Sequence, residues 1–291
     1  MRILKSLSSL LLFICLAFNS KAQNFQGIAI YHTATSLDMD MKVDSSKLNP
    51  EMEQRMAMIK QRMAKAMQKE YELKFNKTES SYTEVETLDE GDTPGRRGGG
   101  MRIFANIMGS GGSYYKNISS KVLLEQTDLY GKQFLITDSL TDWKWKLGKE
   151  SKKIGSYTCY KATATRIMKT ATFSRGADGE SEQKETEVEQ EIVAWWTPEI
   201  PISQGPKNFW GLPGLIMELN DGRTTMVCSK VVLNPKEKVE IKVLKDGKKV
   251  SSEEYAKIMR EKMEEMQEVY GGRGGKGRGG RRGGSFTIEM R

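Results

Sequence analysis

The sequence predicts a mainly β protein with helical additions, a β-rich α+β fold built on an antiparallel meander sheet. Many short segments of the 291-residue chain alternate β-branched or aromatic residues with polar ones, as half-buried strands do. Turn signals such as Gly131 and Asn220-Asp221-Gly222 separate neighbouring segments at hairpin spacing. Helical patterns do not alternate with the strands, which favours antiparallel meanders over βαβ units.

The first 22 residues are typical of a signal peptide. Arg2 and Lys5 precede a short apolar run, and Ser20 and Ala22 occupy the −3 and −1 positions of a cleavage site. The apolar run is too short to span a bilayer. We therefore expect cleavage after Ala22 and an exported protein that is periplasmic, associated with the outer membrane or secreted.

The mature chain is expected to form a single β-rich domain over residues 23–250, with a first strand at 24–37 and a helical insert at about 49–71. Asn49-Pro50-Glu51 combines a capping Asn, a Pro at the first helical position and an acid in the first turn. Apolar residues then recur at spacings of four and three, which predicts one apolar helix stripe. The stripe consists of Met52, Met56, Ile59, Met63 and Ala66.

Further segments after this helix carry strand patterns. Two of them flank Gly131, and two others flank Asn220–Gly222, so each pair predicts a hairpin. In another segment, Trp143, Trp145 and Leu147 alternate with lysines, which predicts one apolar face. The predicted strands are 71–86, 121–130, 132–140, 142–148, 152–168, 186–201, 215–219 and 223–233.

Two segments rich in glycine and arginine interrupt this pattern. Residues 91–113 predict a flexible loop, and residues 271–291 predict a disordered tail. Between them, Ser251 and Glu254 have capping-box spacing and begin an amphipathic helix over 251–270. Its apolar stripe consists of Tyr255, Ile258, Met259, Met263, Met266 and Tyr270.

The tail carries much of the basic character of a chain whose formal net charge is +8. Arginine and glycine together would suggest RNA binding inside a cell, but we expect no nucleic acid in the native compartment of an exported protein. Phosphates of lipopolysaccharide or anionic lipid are the polyanions available there. The alternative is a solvated tail without a partner. The candidate polyanion-binding residues are Arg273, Lys276, Arg278, Arg281 and Arg282.

The sequence predicts no catalytic residue and no cofactor. It contains one histidine, His32, so a serine triad, a papain-like pair and a zinc site with several histidines are unsupported. Glu199 and Glu218 are available for acid–base chemistry, but nothing around them indicates it. The composition therefore favours a binding protein over an enzyme.

Methionine is abundant, with 17 residues, and its thioether is a ligand for Cu(I). The pairs Met39/Met41 and Met56/Met58 are weak candidates for such a site, and we predict no metal. Methionine more often fills apolar seams. A third interpretation is that the two Met-rich helices pack over the sheet and cover a cavity for a lipid-like ligand.

The stretch NFWGLPGLIMELNDG (208–222) contains no catalytic or phosphate-binding signal. No Lys-Ser/Thr follows its glycines, and no serine lies between them. Leu212–Leu215 fits a type II turn with Gly214 at positive φ. The nearby aromatic residues either belong to the core or form the edge of a ligand site. That candidate site consists of Trp195, Trp196, Phe209, Trp210, Pro213 and Gly214.

Two cysteines remain after removal of the signal peptide, Cys159 and Cys228. In an oxidising compartment such a pair forms a disulfide or stays as two buried thiols. Both alternatives stay open on sequence alone, because the distance between the residues decides.

Five segments in order carry a resemblance to the GLPGLI family of exported bacterial proteins. They are Trp143–Lys146, Gly155–Ala162, Trp196–Pro201, Gly205-Pro206 and Gly211–Ile216. The resemblance covers residues about 120–235 and implies an exported protein without a settled biochemical function. By analogy with exported lipoprotein carriers, it implies a curved sheet of half-barrel shape.

These observations lead to three functional hypotheses. The first is a non-catalytic envelope protein that binds a lipid or other apolar ligand, or an outer-membrane or transporter protein partner. The second is an interaction module that docks on the anionic envelope surface through its basic tail. The third is a methionine-based Cu(I)-handling protein.

Overall fold

The protein is mainly β and forms one open, curved sheet with two helices in the part that the computed structural model describes. The predicted signal peptide and most of the two glycine-rich segments lie outside this part. The described residues are 25–36, 50–85, 111–175, 181–272 and 286–290.

Thirteen strands form the described sheet. They are β1 Gln26–Thr35, β2 Gln68–Asn76, β3 Glu79–Glu84, β4 Ser113–Asn117, β5 Val122–Leu129, β6 Lys132–Ser139, β7 Lys146–Ile154, β8 Tyr157–Arg175, β9 Ser181–Thr197, β10 Leu215–Asn220, β11 Thr224–Leu233, β12 Lys248–Val250 and β13 Phe286–Met290. The helices are α1 Pro50–Ala66 and α2 Ser252–Gly272.

Twelve strands lie side by side in the order β12-β6-β5-β4-β3-β2-β1-β11-β10-β9-β8-β13, and β7 also pairs with β8. Within the described sheet every pairing is antiparallel except that of β12 with β6. β7 and β13 share one edge of β8, at residues 157–163 and 169–173. The predicted antiparallel meander is confirmed for most neighbouring strands.

One face of the sheet carries the main core. Tyr31 lies opposite Tyr71, and Leu73 lies opposite Tyr82. All four side chains are buried. Because successive side chains of a strand point to opposite faces, this register gathers the apolar side chains of β1, β2 and β3 on one side.

The structure confirms the two predicted hairpins. Gly131 connects β5 to β6 with φ of 78°, and Gly222 lies between β10 and β11 with φ of 87°. The Gly222 N–H donates to Asn220 Oδ1 at 2.8 Å, which is the local hydrogen bond that makes Asn common in turns.

The segment 142–148 is a strand only in its second half. β7 begins at Lys146, while Trp143 and Trp145 precede it and pack partly buried against the core. Leu147 is 61% exposed, so the predicted common apolar face is wrong for this residue. The register of β7 on β8 is irregular after Leu147, which ends the simple alternation.

Helix α1 is shorter than the predicted insert at 49–71. It ends at Ala66, and Tyr71 lies on β2, buried between partners on β1 and β3. Pairing with two strands and burial outweigh the helical periodicity of the sequence at this point.

Helix α2 begins at the predicted capping box. The Ser251 N–H donates to Glu254 Oε2 at 2.8 Å, and the Glu254 N–H donates to Ser251 Oγ at 3.1 Å. The helix continues to Gly272, slightly beyond the predicted end. In the part of the chain that the structure describes, no helix has the length and apolarity needed to span a membrane.

The single strand predicted at 71–86 is two antiparallel strands, β2 and β3. Three short strands lie outside every predicted strand: β4, β12 and β13. β13 corrects part of the tail prediction, because Phe286–Met290 pairs with β8 instead of being disordered. The other two matter for the sites described below, since β4 carries a buried lysine and β12 extends the edge of the sheet beneath α2.

Candidate functional site

The connection between β9 and β10, residues 198–214, covers the core face of the sheet and is called the signature loop here. Ile200, Ile202 and Phe209 are at most 3% exposed and belong to the main core. The Tyr31 hydroxyl donates to the Ile216 carbonyl at 2.6 Å, just after the loop. The loop therefore closes the apolar face instead of leaving it open.

Lys116 on β4 holds the signature loop from across the core. Its side chain is 1% exposed, and Nζ donates to the carbonyl oxygens of Gly205, Lys207 and Phe209 at 2.5–3.0 Å. Three acceptors match the three N–H donors of an ammonium group. Burial lowers the pKa of Lys116 from 10.5 to about 7. This lysine is a structural clamp without access to a substrate.

Three indole N–H groups connect the signature loop to the segment before β7. Trp143 Nε1 donates to the Asn208 carbonyl at 3.1 Å, and Trp145 Nε1 donates to the Trp210 carbonyl at 2.8 Å. In return, Trp210 Nε1 donates to the Thr141 carbonyl at 2.9 Å. Because an indole has a single donor, these three tryptophans have none left for a ligand.

The structure does not bring the six predicted ligand-binding residues together. Trp195 and Trp196 are consecutive on β9 and point to opposite faces. Trp196 belongs to the core, while Lys152 Nζ lies 4.4 Å from the centre of the Trp195 ring. Phe209 is 1% exposed. Trp195, Trp210 and Pro213 present surface, and the other three are buried.

The predicted type II turn at Leu212–Leu215 is wrong. Positive φ occurs at Gly211, with 97°, and not at Gly214. Gly214 is required for a different reason: a Cβ there would lie 2.0 Å from the carbonyl oxygen of Thr197. Its role is to let two backbone segments approach closely.

Cys159 and Cys228 are buried free thiols in the structure. Burial raises the pKa of Cys159 to about 11 and that of Cys228 to about 12. Both are therefore protonated and poorly nucleophilic at neutral pH. The disulfide between them stays a prediction.

Four tyrosines form a cluster on the core face. Tyr71 and Tyr82 stack with ring centres 4.5 Å apart, and Tyr31 and Tyr114 lie 6.0 and 6.3 Å from Tyr82. Among the residues described, the Tyr82 hydroxyl has no hydrogen-bond partner. Burial raises the pKa of Tyr31, Tyr71 and Tyr82 above 10.0. The stability that these groups contribute is present below about pH 10 and is lost as the pH rises further.

We expect Tyr82→Phe to leave the free energy of unfolding unchanged or to raise it by up to about 1 kcal/mol, because it removes a buried hydroxyl without a partner. The matched control, Tyr31→Phe, loses the hydrogen bond to the Ile216 carbonyl. We expect this loss to lower the free energy of unfolding by about 1 kcal/mol. Urea unfolding at pH 7 measures both. A loss in Tyr82→Phe equal to that in Tyr31→Phe contradicts the expectation.

A second candidate site lies beneath α2, away from the signature loop. Tyr255, Ile258 and Met259 of α2 pack against a small core that includes Phe134 and Val250. Beside this contact lies a cavity of about 490 Å³. It is lined by Leu129, Tyr130, Lys132, Phe134, Lys248, Ile258, Lys262 and Glu265. We call it the α2 cavity.

The α2 cavity combines an apolar floor with a basic rim. Leu129 and Phe134 are at most 5% exposed, whereas Lys132 and Lys248 are exposed. Lys262 Nζ lies 2.5 Å from a carboxylate oxygen of Glu265. The lining therefore contains three lysines and one carboxylate.

The structure does not test the predicted Cu(I) candidates or the predicted polyanion-binding residues of the tail. Met58 on α1 is 53% exposed, the side chain of Met56 is not described, and Met39 and Met41 lie outside the described residues. Over the described ranges, no group of three or more His, Cys, Asp or Glu side chains could hold a metal ion. The basic tail candidates also lie outside the described residues: Arg273, Lys276, Arg278, Arg281 and Arg282.

Sequence reasoning missed both Lys116 and the lysines of the α2 cavity. A signal was present for Lys132, which occupies the same strand face as Phe134 and Ile136, where alternation calls for an apolar residue. Lys262 likewise follows Tyr255 and Ile258 on one helix face. A lysine on an apolar face is the pattern that could have indicated this site.

Fold and sites together define a mainly β protein with a clamped loop on its core face and a lysine-rimmed cavity under its last helix. Residues 145–218 match the model of a family described as "Protein of unknown function (Porph_ging)". This stretch includes β8, β9, the signature loop and the start of β10. No curated protein matches the chain in sequence.

Two solved structures of PNGF-II, in space groups C2 and P21, are similar to this chain with TM-scores of 0.42 and 0.41. Each has 12% sequence identity, and the match covers 81% of this chain and 33% of the PNGF-II chain. The chain thus matches about a third of the length of these structures.

Proposed function

We propose that this protein is an exported, non-catalytic binding protein of the GLPGLI type, and that its ligand is apolar and lipid-sized. The signal-peptide pattern before Ala22 supports export. The family match at residues 145–218 contains four of the five segments that carry the GLPGLI resemblance. The fifth, Trp143–Lys146, overlaps its beginning.

In this proposal the curved sheet is a half-barrel scaffold whose apolar face is occupied by the protein's own signature loop. Lys116 and the three indole N–H groups use their donors on loop carbonyls, so a ligand would have to displace several buried hydrogen bonds to enter there. The aromatic residues therefore support the scaffold, and the ligand site lies elsewhere.

The observation that carries the proposal is the α2 cavity. Its volume of about 490 Å³ falls within the range of about 300–1,000 Å³ that is typical of small-ligand pockets. Its apolar lining, with Leu129 and Phe134 on the sheet and Ile258 on α2, suits an alkyl chain. Helix α2 forms its roof and contributes Ile258, Lys262 and Glu265 to the lining.

Native mass spectrometry of the mature chain, residues 23–291, purified gently from the cell envelope, tests the proposal. We expect a lipid-sized adduct that is lost on denaturation. A bare chain under these conditions contradicts the proposal and favours a protein partner instead. The denatured mass also reports the cysteines, since a disulfide makes the chain two hydrogens lighter.

Filling the α2 cavity should remove the adduct. Ile258→Trp places a large side chain in the cavity, and we expect adduct occupancy to fall by at least about tenfold. Lys257→Trp is the matched control, because Lys257 is an exposed neighbour on α2 that does not line the cavity. Unchanged occupancy in Ile258→Trp, with circular dichroism showing a native fold, would place the ligand elsewhere.

A further inference from the structure

We infer that the α2 cavity selects an anionic single-chain amphiphile, whose head group contacts Lys132 and Lys248 while its alkyl chain covers the apolar floor. This inference rests on the proposed function and names the ligand class of the same site. It comes from the strand register around the cavity, from the charges on its rim and from its volume.

The register places both lysines on the strand face that α2 covers. Lys132 pairs with Leu129 across the β5–β6 hairpin, and Lys248 pairs with Phe134 across the parallel β12–β6 contact. Directly opposite residues of paired strands share a face. The stems of both lysines therefore lie beside a buried apolar side chain, with the ammonium groups toward solvent.

The position of β12 depends on Gly247. A Cβ at this residue would lie 2.8 Å from the backbone carbon of Phe134, and its φ is 112°. Only glycine accepts both the conformation and the close approach. The backbone thus brings Lys248 against β6 at the mouth of the cavity.

The rim has a surplus of positive charge. Lys262 already has Glu265 as its partner, while Lys132 and Lys248 have no carboxylate partner among the residues that the structure describes. A carboxylate or phosphate head group would complement these two cations, which have no carboxylate partner in the described ranges of the chain. The apolar floor adds the requirement for an alkyl chain.

The volume favours one chain over two. About 490 Å³ lies in the lower half of the range of about 300–1,000 Å³ for small-ligand pockets. A free small anion would leave the apolar side chains of Leu129, Phe134 and Ile258 uncovered. The two requirements together describe an amphiphile with one alkyl chain and a negative head.

Calorimetric titration of the purified mature chain with dodecanoate and with dodecyl maltoside, each below its micelle concentration, tests this inference. The two probes share an alkyl chain and differ in head-group charge. We expect dodecanoate to bind about tenfold more tightly at low salt, and this preference to shrink at high salt because exposed charges are screened.

The double variant Lys132→Met/Lys248→Met keeps the apolar stems and removes both charges. We expect it to bind the two probes with similar affinity. Lys149→Met/Lys153→Met on β7, two exposed lysines away from the cavity, is the matched control and should keep the full preference.

The outcomes separate the two proposals. If neither probe binds, the proposed function fails and this inference fails with it. If both probes bind equally to the wild-type chain, or if the Lys132/Lys248 variant keeps the preference, charge selection is wrong while the apolar cavity stands. If acetate displaces dodecanoate, the site is one for small anions and the inference is overturned.

Discussion

Replacing Lys116 with Met is expected to lower the free energy of unfolding by about 3–5 kcal/mol, because three buried carbonyls lose their donor at about 1–3 kcal/mol each, while removal of a buried charge offsets part of that cost. The side chain keeps its length, but the carbonyls of Gly205, Lys207 and Phe209 lose their shared donor. Each carbonyl is on the signature loop, which covers the core. Urea unfolding of both proteins at pH 6 measures the difference.

The pKa of Lys116 sets how this effect depends on pH. Since its folded-state pKa of about 7 lies below the ordinary 10.5, the unfolded chain binds more protons between these values. The stability contributed by Lys116 therefore rises with pH across that window. The loss in Lys116→Met should be at least as large at pH 9 as at pH 6.

The control for this variant is Lys149→Met, at an exposed position of β7. Surface substitutions of this kind change stability by about 0.5 kcal/mol or less. If Lys116→Met lowers the free energy of unfolding by less than about 1 kcal/mol, its effect is close to that of the control. The clamp would then be dispensable. The indole hydrogen bonds and the apolar contacts of the signature loop would then be sufficient to hold it.

Gly214→Ala is expected to lower the free energy of unfolding by about 3 kcal/mol or more, the upper end of the cost of overpacking. The added Cβ would lie 2.0 Å from the backbone oxygen of Thr197 and 2.9 Å from the Trp196 ring. The Thr197 carbonyl is part of the backbone and cannot rotate away as a flexible side chain can. β9 and the signature loop would therefore have to move apart. Thermal and urea unfolding measure the loss.

Gly131→Ala is the control, because Gly131 has positive φ but no close contact, whereas Gly214 has a close contact but no positive φ. The φ of 78° at Gly131 disfavours alanine, but nothing lies within 4 Å of the new Cβ. We expect a cost of about 1 kcal/mol from backbone strain alone. If Gly214→Ala costs no more than this control, the close contact between the loop and β9 is not what requires a glycine.

The type II turn predicted at Leu212–Leu215 was wrong because it relied on local composition. Leu-Pro-Gly-Leu has the local composition of a type II turn, yet the structure places positive φ at Gly211. What selects glycine at position 214 is a contact with Thr197 on another strand. Composition within four residues carries no information about such a contact.

The predicted end of α1 was wrong for a similar reason. The apolar stripe runs from Met52 to Ala66, and the prediction extended the helix beyond it to about Tyr71. In the structure Tyr71 stacks on Tyr82 and lies between β1 and β3. Burial between two strands decided against the local pattern.

The candidate sites were predictable only in part. The apolar stripe of α2 was predicted, and its residues Tyr255, Ile258 and Met259 pack against the small core. A lipid-like ligand cavity covered by the two Met-rich helices stays a prediction. The lysines of the rim were not anticipated, because Lys248 reaches the site through a parallel pairing of only three residues with β6. Pairings of that length leave little pattern in a sequence.

The sequence by itself determined the antiparallel character of the sheet, its two clearest hairpins and the capping box of α2. Each of these depends on residues within a few positions of one another, so spacing and turn chemistry are sufficient. The tertiary structure alone decided the clamp and the α2 cavity. Lys116 meets its acceptors 89 to 93 residues away, and contacts at such separations arise only when the whole sheet has assembled.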